Sequence, residues 1–166
     1  MKHEYTVDLT SSGINKLIGK LGGYKIWLLK KTDEVAKRLA DIGAADANFR
    51  FANAYYDGDN DVVITVKHNG IGKYTVSADG EAVLFIEFGA GYKYGYGHPE
   101  PQGLGPGTYP GKGHWDDPNG WYLPKKVQEE TGIEKSYGNP PAAAMYNTVK
   151  DLEGEIDRIV REVFQS

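Results

Sequence analysis

Between Gly89 and Gly120 the chain places ten glycines and five prolines. Proline removes a backbone donor and glycine weakens any regular element, so neither a helix nor a central strand can run through this stretch. Regular structure is therefore confined to the residues before and after it. Interleaved with the glycines, or just beyond them, are Tyr92, Tyr94, Tyr96, Tyr109, Trp115 and Trp121. A loop of this length inside a compact domain usually has a job of its own. Its rings can pack on one another as a self-contained loop, or they can form a contact surface, since Tyr and Trp bury large area at low entropy cost. Both uses stay open at this level, with stacking against a sugar as a further one. These six aromatic residues are the candidate partner-contact positions.

Ahead of the loop, residues 3–9 alternate with Tyr5, Val7 and Leu9 on one side and read as a short strand. Ser11 and Ser12 can cap a first helix, whose stripe is Ile14, Leu17, Ile18 and Leu21. A second helix runs from about Tyr24 to Ile42 with Leu28, Val35, Leu39 and Ile42 on one face, and Gly43 is its natural stop. The Gly22-Gly23 pair either separates two helices or kinks one long one. From residue 49 the apolar period becomes two: Phe49, Phe51 and Tyr55, then Val62, Ile64 and Val66, then Tyr74, Val76 and Ala78. Asp57-Gly58-Asp59-Asn60, Asn69-Gly70-Ile71-Gly72 and Asp79-Gly80 supply hairpin chemistry between the runs. The pattern predicts a four-stranded antiparallel meander over 49–88, its last strand being Ala82 to Phe88, apolar on both faces.

Beyond the loop a short amphipathic turn covers Val127 to Thr131. Asn139-Pro140-Pro141 then opens a final helix over 139–164, with Asn139 as cap and Pro140 at the first helical position. Met145, Val149, Leu152, Ile156, Ile159 and Val163 form its apolar stripe, suited to docking on the sheet or on another helix. The expectation is one α+β domain over 1–166: a strand and helical region to residue 43, the meander over 49–88, the Gly/Tyr/Trp loop over 89–124, and the C-terminal helix.

Charge and composition narrow the function. The 166 residues carry 19 Lys and Arg against 23 Asp and Glu, a net −4, which argues against a dedicated nucleic-acid binder. Lys30-Lys31 and Lys125-Lys126 are pairs, not runs. The absence of cysteine removes disulfides, thiolate metal sites and thiol catalysis, and suits a reducing compartment. The opening Met1-Lys2-His3-Glu4-Tyr5 lacks the apolar stretch of a signal peptide, and no segment has the roughly 20 apolar residues of a membrane span.

The motifs for chemistry fail on spacing. Gly107 to Gly113 superficially suggests a phosphate loop, but Pro106 and Gly113 stand where glycine and a hydroxyl are required, and Pro110 deletes a cradling N–H. His98, His114, Asp116 and Asp117 offer ligating groups without a metal-binding spacing, so they read as ordinary loop residues. Glu87, inside the apolar run Phe85-Ile86-Glu87-Phe88, could be an acid with a raised pKa. No second carboxylate stands at a recognisable spacing from it. The simpler reading is a sheet-end carboxylate satisfied by backbone N–H groups or a lysine. No catalytic residue, cofactor or metal is expected.

Three segments together carry a resemblance: Phe85-Ile86-Glu87-Phe88-Gly89-Ala90-Gly91, Gly120-Trp121, and Asn139-Pro140-Pro141-Ala142-Ala143-Ala144-Met145. In that order the chain resembles the tail-completion or head–tail joining proteins of long-tailed bacteriophages and prophages. The agreement in element order runs along most of the chain from about residue 30. It departs at Asp41-Ile42-Gly43-Ala44-Ala45-Asp46, which keeps little of the segment that many relatives have between helix and sheet. The loop is also longer than usual. The resemblance implies a non-enzymatic neck subunit, assembled in the host cytoplasm into a homo-oligomeric ring, hexameric in the family. Its partners would be the capsid connector or head-completion protein and the tail tube or tail terminator, with no membrane and no sequence-specific nucleic acid. The alternative is a non-catalytic binding module whose aromatic loop recognises a polysaccharide or a host protein. A hydrolase built on Glu87 or His114 ranks third.

Overall fold

The computed structural model describes residues 5–91, 94, 97–100 and 117–165. The fold is α+β, with long N-terminal and C-terminal helices and two small antiparallel sheets. Residues 5–10 form no strand, contrary to the alternation over 3–9. Thr10 caps the first helix, taking the role assigned to Ser11 or Ser12: its Oγ1 accepts the Gly13 N–H at 3.1 Å. Helix α1 then runs unbroken over Ser11–Ala52, 42 residues or about 63 Å. It passes through Gly22-Gly23 as one helix and does not stop at Gly43. Phe49 and Phe51 therefore lie in α1, not in a strand. Their apparent alternation is accidental: Phe51 joins Ala40, Gly43 and Ala47 on the buried helical face, while Phe49 is exposed.

The expected meander is reduced to a hairpin. Strands β1 (Val63–Gly70) and β2 (Lys73–Asp79) pair antiparallel, from Val63 opposite Asp79 to Gly70 opposite Lys73, with an irregularity between His68 and Gly70. The turn is tied to α1, because Asp33 accepts the Gly72 N–H at 2.8 Å. The apolar run 82–88 is not a strand but the short helix α2 (Val83–Phe88). Asp61 decides this from outside the run, accepting the Glu81 and Ala82 amides at 2.7 and 2.9 Å just ahead of the helix. Helical spacing then brings Ala82 and Ile86 together in the core with Phe51 and Ala144. Val62, Ile64 and Ala78 of the hairpin region close over this cluster.

After the loop, β3 (Trp121–Tyr122) pairs antiparallel with β4 (Lys135–Ser136), on either side of α3 (Lys125–Thr131). Helix α4 spans Ala144–Gln165, about 33 Å, and begins five residues later than its sequence suggested. Asn139 and Pro140 consequently do not cap it. It packs antiparallel on α1: Thr148 donates to Asp46 at 2.7 Å, Arg50 pairs with Asp151, Arg38 lies 3.7 Å from Glu162, and Trp27 meets Phe164 edge-on. The helices pack tightly at Gly43, where a Cβ would sit 2.8 Å from Leu152 Cδ1. This crossing turns the buried face of α4 to Ala144, Thr148, Ile159 and Val163. Val149 and Ile156, placed on the core stripe by spacing alone, are exposed. Among the described residues no helix is long and apolar enough to cross a membrane.

Candidate functional site

Glu87 is the last buried residue of α2, and the fold points it at the start of α4. Its Oε2 accepts the Met145 N–H at 2.8 Å and its Oε1 accepts the Tyr146 N–H at 3.1 Å. Two backbone carbonyls do the same for the preceding donors: Ile86 O accepts from Ala142 at 2.8 Å, and Glu87 O from Ala143 at 3.0 Å. The open amide end of α4 is thus closed by the carbonyl end of α2, with a negative side chain on a helix N-terminus where it is favoured. His98 completes the arrangement. Its Nδ1 accepts the Glu100 N–H at 2.9 Å, leaving Nε2 to donate to Glu87 Oε1 at 3.3 Å. The imidazole sits between the Phe88 and Tyr146 rings, at 4.6 and 5.7 Å between centroids.

This geometry fits a structural joint. Both oxygens of the Glu87 carboxylate are engaged by backbone N–H groups. The sequence anticipated the type of partner, but placed Glu87 at the end of a strand, not of a helix. His98, read there as an ordinary loop histidine, is one of the few buried polar residues. Asp117 is exposed and accepts the Asn119 N–H in a local turn. His114 and Asp116 lie outside the described residues, as does the 107–113 segment. Among the described residues no group of three His, Asp or Glu side chains is placed to hold a metal.

The three segments that carry the resemblance meet around residues 135–139. Ala90 and Asn139 form an isolated antiparallel bridge with N–H···O distances of 3.0 and 2.9 Å. Asn139 Nδ2 also donates to Phe85 O at 2.8 Å, which is its role in place of helix capping. Trp121 stands opposite Ser136 in the second sheet. The approach at the bridge is so close that a Cβ on Gly138, whose φ is +100°, would collide with the Ala90 carbonyl. Glycine is required there by both contact and conformation.

Beside this joint lies a cleft of about 430 Å³. Its floor is Tyr56, Phe85, Trp121, Leu123 and Val127, and its rim holds Asp57, Asp59, Asp61 and Glu81, with no Lys or Arg lining it among the described residues. Burial, followed by the charges of Asp61, Asp59, Asp57 and Glu81, pushes the Tyr56 phenol above its ordinary pKa. Asp57 is held by Ser136 Oγ at 2.9 Å and Asp61 by the two amides ahead of α2. From sequence, Asp57 and Asp59 read only as turn residues, and Asp61 and Glu81 carried no assignment. Their clustering, with Asp57, Asp59 and Asp61 at every second position, was the available signal.

Of the six aromatic candidates, Trp121 lines the cleft and Tyr94 is half-buried in a turn, its N–H donating to Gly91 O at 3.1 Å. Tyr92, Tyr96, Tyr109 and Trp115 lie outside the described residues. Compared with protein-family models, curated proteins and solved structures, the chain has no match in any of the three.

Proposed function

We propose that this chain is a structural subunit of a tailed-phage virion, a tail-completion or head–tail joining protein that forms a ring between the capsid connector and the tail tube. The observation that carries this reading is the convergence just described. Segments 85–91, 120–121 and 139–145 are separated by the long loop, yet they meet through the Ala90–Asn139 bridge and the Trp121–Ser136 pair. They act as one joint that brackets the Gly/aromatic stretch in sequence. A neck subunit needs such a joint, because docking loops must be presented from a fixed base. Glu87 and His98 serve that base, and binding energy comes from apolar and aromatic contact with no bond made or broken.

The test mixes the purified full chain with the connector and tail-tube proteins encoded by neighbouring genes, and examines the products by electron microscopy and mass measurement. The expected result is a ring of several copies seated on the connector or on the tube end. A chain that stays monomeric at high concentration and ignores both proteins sinks the reading.

A further inference from the structure

Helix α1 is nearly twice as long as α4, and the last ring of α4, Phe164, reaches only to Trp27. Over residues 11–30 every position of α1 is exposed except Gly13 and Leu17, which are half-buried. Ile14, Ile18, Leu21, Ile26, Leu28 and Leu29 are all among the exposed large apolar side chains, Ile18 at 62 %. A contiguous apolar surface of this kind marks an interaction site. The same segment carries Lys16, Lys20, Lys25 and Lys30, with no acid and no Arg between Asp8 and Asp33. The remainder of the chain then holds 15 Lys and Arg against 23 Asp and Glu.

We propose that the first half of α1 is an assembly arm that seats in the acidic-rimmed cleft of a second copy of this chain. The two surfaces supply what each other lacks. The arm is apolar and lysine-bearing, and the cleft is apolar-floored with four carboxylates and, among the described residues, no cation on its lining. Two arms do not suit each other, since four positive charges would face four. Nor can an arm reach its own cleft. The cleft lies beside the C-terminal end of α1, where Asn60 Nδ2 donates to Phe51 O at 2.9 Å, and Ser11 is about 60 Å of helix away. A contact between one patch and a different patch repeats head to tail, and it closes into a ring when the rotation allows. The proposal rests on the ring reading above and names the contact that joins neighbours.

The test measures self-association of the full chain by sedimentation, alone at up to millimolar concentration and with connector protein present. Lys16→Glu, Lys20→Glu and Lys25→Glu together reverse the arm while keeping good helix formers. Asp59→Lys with Glu81→Lys reverses the rim and leaves Asp57 and Asp61 to hold their neighbours. Each variant is expected to associate at least roughly tenfold more weakly, and the five-substitution variant is expected to recover most of the loss. Raising salt should weaken the wild-type chain. Failure of the combined variant to recover overturns the contact. Association unchanged in all three variants also overturns it while the ring reading stands. A wild-type chain that stays monomeric even with connector and tail-tube proteins present overturns both. A monomer that instead binds phosphatidylglycerol vesicles through the same lysines makes the arm a lipid-surface helix, and overturns the proposal too.

Discussion

Glu87 concentrates more of the architecture in one side chain than any other residue described. It satisfies two amides of α4 and one imidazole from a position with almost no access to water. Removing it strands buried donors, and each stranded donor costs on the order of 1–3 kcal/mol. Glu87→Ala is therefore expected to destabilise the chain by about 3 kcal/mol in urea unfolding. Glu87→Gln keeps one carbonyl oxygen for the amides and should lose about half as much. Equal losses for the two would mean that packing, not hydrogen bonding, holds the joint. Ala143, next to this cap, adopts φ +47° without being glycine. The backbone strain at that position is held by the Ile86 and Glu87 carbonyls on either side of the turn.

At the scale of the element, α1 joins two halves of different character. From Thr32 onward it is fastened to the hairpin through Asp33 and to α4 through Asp46, Arg50 and the small residues Ala40, Gly43 and Ala47. Before Tyr24, among the described residues, the segment 5–10 borders a small cavity with Lys16, Leu17 and Lys20, and the helix is otherwise exposed. Gly22 and Gly23 lie in that part, and a Cβ at either would meet nothing within 4 Å. Each glycine costs an exposed helix about 1 kcal/mol relative to alanine. Gly22→Ala with Gly23→Ala should therefore slow amide hydrogen exchange over residues 14–30 by roughly tenfold or more. The global unfolding midpoint should move much less, because that part of the helix is not packed against the body. A large shift in the midpoint would show that the arm is coupled to the core.

For the whole molecule, two aspartates link segments distant in sequence, and both titrate below their ordinary value. Asp61 is lowered by the Ala82 and Glu81 amides. At Asp46, burial acts in the opposite direction, but the bonds from Arg50 and Thr148 outweigh it. With the folded pKa depressed, the unfolded chain takes up protons first as pH falls. The stabilisation is complete above the ordinary aspartate value of about 3.9, and is lost as pH falls from there through the lower folded value. Urea midpoints should accordingly be flat from neutral pH to about pH 5 and fall in stronger acid. Asp61→Asn should lower stability at neutral pH and flatten part of the acid decline. An unchanged acid profile would remove Asp61 from this account.

What the sequence determined by itself follows from local chemistry. The hairpin over Val63–Asp79 was legible because β-branched alternation brackets a Gly-x-Gly turn, and both signals act within a few residues. The C-terminal helix was legible from its period, and α3 from its short amphipathic run. Tertiary structure decided the rest. Run 82–88 became a helix because Asp61, twenty residues away, supplied acceptors to its leading amides. Asn139 lost its cap to Glu87 because the bridge to Ala90 claimed that segment for a sheet-like contact. The buried face of α4 turned to Ala144 and Thr148 because α1 packs tightly against it where Gly43 has no side chain. Short apolar runs fit either period equally well, and only a partner distant in the chain supplies the hydrogen bonds and the packing that choose between them.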